Sequence, residues 1–357
     1  MKNYRIAVIK GDGIGTEVIN EGIKVLKAIE KLDSNIQFTF TDFDWGCDYY
    51  LEHQEMMPEN GIELLSDFDA IYLGAVGSPT VKDHISLWGL LLNIRKSFDQ
   101  YVNIRPIKLL KGIESPIANK TSKDIDMIFI RENTEGEYSN SGSWLYPDSE
   151  QEVVIQNNIF SRKGCERVMR YAFELAKEKN MTLTSISKGN ALRYSMVFWD
   201  KIFEEISLEY PSVKTQTFLV DATCVHMVLH PEKFQVVVAS NLFGDVLTDL
   251  GAVICGGLGF AAGANLNPER KFPSMFEPVH GSAIDIANKN IANPIAAIWS
   301  ASQMLDYLGQ EDWGKKVLAA IETVTESQKY KTSDIRGTTS TSELGDAIVK
   351  QLMKLQE

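Results

Sequence analysis

Residues 234–250 read F-Q-V-V-V-A-S-N-L-F-G-D-V-L-T-D-L and change from a strand pattern to a helical one within two residues. Val236, Val237 and Val238 are β-branched and suit a buried strand, and the pattern after Ser240 and Asn241 is helical. A strand that feeds straight into a helix is the repeating unit of α/β folds, which narrows the chain to a few layered architectures. Asp245 and Asp249 lie four residues apart, so they share one helix face a turn apart. Ligands gather where strands end and helices begin, and two carboxylates there suit a hard cation such as Mg²⁺ or Mn²⁺. Aspartates in a first helical turn also simply favour the dipole. The rest of the chain has to decide between these readings.

The same transition recurs along the chain. R-I-A-V-I-K at 5–10 runs into G-D-G-I-G at 11–15, and D-A-I-Y-L at 69–73 opens into G-A-V-G-S-P. The first loop is spaced G-x-G-x-G, with Thr16 where the dinucleotide fingerprint wants its last glycine, so an ordinary Rossmann site is not supported. D-M-I-F-I at 126–130 ends at Arg131, T-L-T-S-I-S at 182–187 at Lys188, and T-Q-T-F-L-V at 215–220 at Asp221. Residues 139–149 are rich in Ser, Gly, Trp and Tyr, and 153–160 alternate as in a hairpin or arm. Residues 294–308 are almost continuously apolar and predict a helix buried on most sides.

Charged residues placed after so many buried strands point to one shared polar site. Asp221, Asp245 and Asp249 imply a divalent metal, and Arg95, Arg105 and Arg131 suit a substrate carrying carboxylates. A lysine can serve as base and a tyrosine can donate a proton. Metal plus base beside a hydroxy acid is equipment for oxidising an alcohol and then releasing CO₂. The formal net charge of −12, with no basic block, argues against nucleic acid or an anionic membrane as partner. No secretory leader or membrane-length apolar run is evident, and Cys47, Cys165, Cys224 and Cys255 read as free thiols, so a cytoplasmic protein is expected. His226 and His230 have metal-ligand spacing but lack the glutamate of H-E-x-x-H, and neither a G-x-S-x-G elbow nor a P-loop is present.

These residues resemble the decarboxylating β-hydroxyacid dehydrogenases, the family of isocitrate and 3-isopropylmalate dehydrogenases. The likeness is carried by G-D-G-I-G, N-I-R-P at 103–106, R-E-N-T-E-G-E-Y at 131–138, N-L-F-G-D-V-L-T-D at 241–249, E-P-V-H-G-S-A at 277–283 and I-A-N-P at 291–294. D-H-I-S-L-W-G at 83–89, F-D-Q-Y-V-N at 98–103, A-N-L-N-P-E-R at 264–270 and W-G-C-D-Y-Y at 45–50 are most similar to its tartrate/D-malate branch. The resemblance implies an isopropylmalate-dehydrogenase-like two-domain α/β fold with a mixed central sheet. Residues 1–102 plus 250–357 would form the larger, cofactor-binding domain. Residues 103–249 would form the smaller domain for dimerisation, metal and substrate, with a dimerising β-arm at about 139–160.

By the same resemblance, Arg95, Arg105 and Arg131 bind substrate carboxylates, Tyr138 donates a proton and Lys188 is the base. Asp221, Asp245 and Asp249 hold Mg²⁺ or Mn²⁺, and a homodimer shares Lys188 and Asp221 across subunits. His280, Gly281, Ser282, Ala283, Asp285 and Asn293 hold the cofactor. Asp285 favours NAD, because a carboxylate repels the phosphate of NADP, and Ile284 departs from the family's usual proline. A requirement for K⁺ is left open. Spacing back from Arg95 puts Gly89 and Leu91 where isocitrate enzymes carry Ser and Asn, and Trp88 where isopropylmalate enzymes carry Glu. The expected reaction is conversion of D-malate to pyruvate and CO₂, with activity on tartrate. The alternatives are a 3-isopropylmalate dehydrogenase and a non-catalytic regulatory subunit.

Overall fold

The computed structural model describes residues 2–355. Twelve strands follow in chain order. They are β1 (Lys2–Gly11), β2 (Ile36–Asp42), β3 (Ala70–Ala75), β4 (Val102–Lys108), β5 (Asp126–Glu132) and β6 (Gly136–Leu145), then β7 (Val153–Ile159), β8 (Leu183–Ser187), β9 (Thr215–Leu219), β10 (Val236–Ala239), β11 (Ala262–Leu266) and β12 (Ser274–Pro278). The chain divides into two compact units. The larger comprises the residues through Gln100, Lys108–Lys123, and those from Ala252 onward; the smaller comprises Tyr101–Ile107 and Asp124–Gly251. Lys108–Lys123 therefore departs from the expected boundary, which had placed 103–249 in the smaller domain throughout.

In the larger unit the strand order is β2-β1-β3-β12-β11. Neighbours from β2 to β12 run parallel, whereas β11 is antiparallel to β12, so the sheet is mixed. Ile6, Ala7, Val8 and Ile9 are wholly buried, each large apolar side chain contributing about 1.5–3 kcal/mol. The apolar helix Ile295–Tyr307 lies inside this unit, packed on β11, β12 and the helices Gly15–Leu32 and Glu311–Glu326. Its continuous hydrophobicity reflects burial on several sides at once.

In the smaller unit the order is β4-β5-β10-β8-β9, with β5, β10, β8 and β9 parallel. Val236–Ala239 is fully buried at its centre, and the helix Asn241–Ile254 starts directly beyond it. β6 and β7 form a separate antiparallel ribbon, with every residue of β7 exposed. Such a two-stranded ribbon is marginal alone in water. Among the described residues no helix is long and apolar enough to cross a membrane. Cys47, Cys165 and Cys255 are buried free thiols and Cys224 is half-buried; burial, then Asp12, pushes the Cys47 thiol up to about 12, which makes it inert.

Candidate active site

In the smaller unit the polar residues meet at the strand ends because parallel strands deliver their last residues to one edge. Arg131 is the last residue but one of β5, paired with Ala239 of β10, and its side chain is only 2% exposed. Asp245 is the focus. Its Oδ1 accepts from Arg131 Nη1 at 2.5 Å and from Arg105 Nη1 at 3.2 Å, and its Oδ2 accepts from the Tyr138 hydroxyl at 3.0 Å. The Arg131 guanidinium also lies 5.5 Å from the centre of the Tyr138 ring. Burial, then the Asp245 charge, raises the Tyr138 pKa, so the phenol keeps its proton. Asp249 is open to solvent on one side. Surrounding protein and then the Asp245 carboxylate nevertheless hold its pKa above the usual carboxylate range.

Lys188 and Asp221 form a second pair, with Nζ donating to Oδ1 at 2.6 Å. The lysine lowers the Asp221 pKa, so that carboxylate stays ionised. Within one chain Asp221 does not join Asp245 and Asp249: among the described residues no group of three or more His, Cys, Asp or Glu is placed to hold an ion. His226 and His230 stand with ring centres 6.0 Å apart, and His226 meets Phe218 edge-on, a packing arrangement.

The larger unit carries Arg95 and the expected cofactor loop. Arg95 is 4% exposed, donates from Nη2 to Glu277 at 2.6 Å, and leaves its Nε buried without a partner. The first glycine loop has a use that its failed fingerprint concealed. The Ser282 carbonyl accepts from the Ile14 backbone N–H at 2.8 Å, and a Cβ on Gly13 would stand 2.0 Å from that oxygen. Gly13, at φ +56°, therefore seats the 280–285 loop by lacking a side chain. The side chain of Ile284 packs at the same point, which accommodates the departure from proline.

His280 is 9% exposed, and burial lowers its pKa, so its ring is neutral at pH 7. Its Nδ1 faces the Gly281 carbonyl at 3.0 Å, while Nε2 is buried without a partner. With Nδ1–H donating, Nε2 remains a buried acceptor open to a ligand's donor. Gly281 and Asp285 are exposed, and Ser282 and Ala283 are half-buried. Asn293 is differently engaged. Its amide donates to Asp334 at 3.0 Å and its oxygen accepts from the Ile295 N–H at 3.0 Å, at the start of a helix.

Residues 5–348 match the family model described as isocitrate/isopropylmalate dehydrogenase. The chain belongs to this family. It is 51% identical over 362 residues to the D-malate dehydrogenase (decarboxylating) of Escherichia coli K12, covering 99% of this chain and 100% of that one. It is 49% identical over 356 residues to a probable tartrate dehydrogenase/decarboxylase of Bacillus subtilis, covering 99% of each. Its fold matches the crystal structure of isocitrate dehydrogenase from Methylococcus capsulatus with a TM-score of 0.88 at 31% identity, over 98% of this chain and 99% of that one.

The helical stretch before Arg95 is irregular. Between Asp83–Ser86 and Leu92–Ser97 lies a π-helical turn, Leu87–Leu91, in which the Leu92 N–H reaches back to the Leu87 carbonyl. A π turn inserts about one extra residue, so positions eight apart come into line. Trp88 and Lys96 accordingly meet, the ammonium 4.5 Å from the ring centre. Trp88 is half-buried, whereas Leu90, Ile94 and Phe98 of the same stretch belong to the buried core. A Cβ on Gly89 would lie 2.6 Å from Met56 Cγ, so the serine of isocitrate enzymes does not fit there without movement.

Sequence reading missed the residues that hold the site in shape. Asn241 accepts from Arg131 Nε at 3.2 Å and Nη2 at 2.7 Å. Glu137 accepts from the Ser240 hydroxyl and the Leu242 N–H, both at 3.1 Å, and so puts a negative charge at the start of the helix carrying Asp245. The strand-to-helix junction at Ser240 and Asn241 was the available signal, since its unpaired N–H groups need partners.

Proposed function

We propose that this chain catalyses the NAD- and divalent-metal-dependent oxidative decarboxylation of a small 2-hydroxy diacid. D-Malate is converted to pyruvate and CO₂, and tartrate is handled at the same centre. The observation that carries the reading is the convergence of Arg105, Arg131 and Tyr138 on Asp245, one helical turn from Asp249. Near-50% identity across the whole length to relatives named for D-malate and tartrate supports it.

The residues fit both absent groups. Burial, and then the like charge of Asp245, raises the Asp249 pKa, and a hard cation would relieve that repulsion. The unpartnered buried Nε2 of His280 fits a loop that receives a dinucleotide, and the exposed Asp285 favours NAD over its phosphorylated form. When bound, NAD accepts the hydride from C2, and Mg²⁺ or Mn²⁺ polarises the C2 oxygen and stabilises the charge that develops there.

The chain's own residues do the rest. Arg95, Arg105 and Arg131 bind the substrate carboxylates in bidentate fashion. A dicarboxylate entering beside Asp245 competes for the two guanidiniums that face it, and the Asp245 oxygens so released would be the ones to hold a cation. Lys188 takes the C2 hydroxyl proton, and Tyr138, kept protonated by burial and the Asp245 charge, returns a proton to C3 after CO₂ departs. Lys188 and Asp221 come from the partner subunit of a homodimer. This is supported by Asp221, the partner of Lys188, not grouping with Asp245 and Asp249 within one chain, and by the apolar side chains left exposed at Trp144, Val154, Val225, Leu229 and Val246.

Steady-state kinetics with D-malate, the tartrates and 3-isopropylmalate, each with NAD and NADP, with Mg²⁺ or Mn²⁺, and with and without K⁺, tests the reading. D-Malate with NAD should give the highest kcat/KM and stoichiometric pyruvate. Higher kcat/KM for 3-isopropylmalate, or no turnover of any diacid, overturns it.

A further inference from the structure

We propose that Asp200 is a positioning residue for Lys188, holding the loop that presents the lysine through the hydroxyl of Ser187. The inference rests on the reading of Lys188 as the base. β8 ends at Ser187, and the next residue is Lys188. The Ser187 hydroxyl donates to Asp200 Oδ2 at 2.7 Å and accepts from the Gly189 N–H at 3.0 Å. The Lys188 carbonyl in turn accepts from Ala191 at 2.9 Å and Leu192 at 2.8 Å. The backbone of Lys188 is thus tied on both sides, and only its side chain is left to be directed.

The brace is itself anchored. Asp200 lies on the helix Ser195–Ser207, next to Trp199, which is wholly buried and donates from Nε1 to Ser185 on β8 at 3.0 Å. Two links two residues apart on the strand therefore fix helix and loop in one register. The fit at the loop is close: a Cβ on Gly189 would stand 2.5 Å from Asp200 Oδ2. The second oxygen, Oδ1, is buried with no hydrogen-bond partner. Burying an unpaired carboxylate oxygen opposes stability, so a brace selected for stability alone would not be expected to keep it. No metal ligand or substrate contact is needed of Asp200 itself; it acts through Ser187.

The test compares the full-length Asp200→Ala, Asp200→Asn and Ser187→Ala variants. Asp200→Ala and Ser187→Ala should each lower kcat about tenfold or more, because small misplacement of a reacting group is costly in rate, while KM for D-malate stays within about threefold. Asp200→Asn keeps an oxygen that accepts from Ser187 and should recover most of the rate. The double variant should be no worse than the poorer single, because both changes cut one link. Reductive methylation of Lys188, followed by mass spectrometry, gives a readout apart from turnover; its rate should change in Asp200→Ala and return in Asp200→Asn.

Wild-type kcat and Lys188 reactivity in Asp200→Ala, or losses that multiply in the double variant, overturn the proposal. If Asp200→Ala fails to fold, Ser187→Ala decides alone, and wild-type kcat in it is a refutation. A Lys188→Met enzyme with full turnover would instead sink the base assignment, which separates the two failures.

Discussion

Gly244 offers a test in which the site and the helix demand opposite outcomes. It lies inside the helix Asn241–Ile254, where replacing glycine by alanine ordinarily stabilises by about 1 kcal/mol. Here a Cβ would lie 2.6 Å from Arg131 Cγ, 2.8 Å from its Cβ and 3.2 Å from its Cδ. These atoms are the root of a side chain that is 2% exposed, not a flexible tip that could swing aside. Overpacking of this kind costs about 1–3 kcal/mol, so Gly244→Ala should be net destabilising by roughly 1 kcal/mol, or about 2 °C in Tm. The larger effect falls on function. Relief requires the guanidinium to leave Asp245 and Asn241, and a shift of about 1 Å in a binding group can cost on the order of 10² in rate. Differential scanning fluorimetry and kcat/KM for D-malate measure the two effects in one preparation. A variant with raised Tm and unchanged kcat/KM refutes the argument.

Other consequences can be measured directly. Lys188→Met should lose about 10²–10⁴ in kcat, as removal of a general base does, with circular dichroism unchanged; retained turnover refutes the mechanism. Trp88→Glu should move the ratio of kcat/KM for D-malate over 3-isopropylmalate by about tenfold or more, the scale of a pocket contact, and an unchanged ratio means the indole does not select substrate. Asp285→Ser should cut the preference for NAD over NADP about tenfold, a modest electrostatic difference; equal loss with both nucleotides would show that Asp285 does not read the ribose. Glu132 gives a pH signature. It is buried, and burial raises its pKa against the lowering effect of the Thr134 and Glu135 N–H groups. Between the ordinary glutamate value and the raised folded one, the folded chain binds more protons than the unfolded chain, so stability falls as pH rises through that window. The Tm of wild type relative to Glu132→Gln should therefore be higher at acid than at neutral pH, and a pH-independent difference would contradict the assignment.

Much of the fold was legible because burial and periodicity are local. The Val236–Val238 run, the abrupt change at Ser240, and the charged residues Arg131, Lys188 and Asp221 at or just beyond the apolar runs already implied an α/β fold with a shared polar site. The spacing of Asp245 and Asp249 placed both on one helix face. What this pattern lacked was any statement of partners. That Asp245 meets Arg105, 140 residues away, and Arg131, 114 away, follows from strand order, which no window of sequence contains. The placement of Lys108–Lys123 with the larger unit, the seating of Ser282 on Gly13, and the capping of the Asp245 helix by Glu137 are likewise long-range. Along one helical stretch, too, the π turn, in which the Leu92 N–H reaches back five residues to Leu87, brings Trp88 beside Lys96 in a way that no count of residues states. Residue type and local period decide which groups reach the edge of a sheet; only close packing across the chain decides which of them touch.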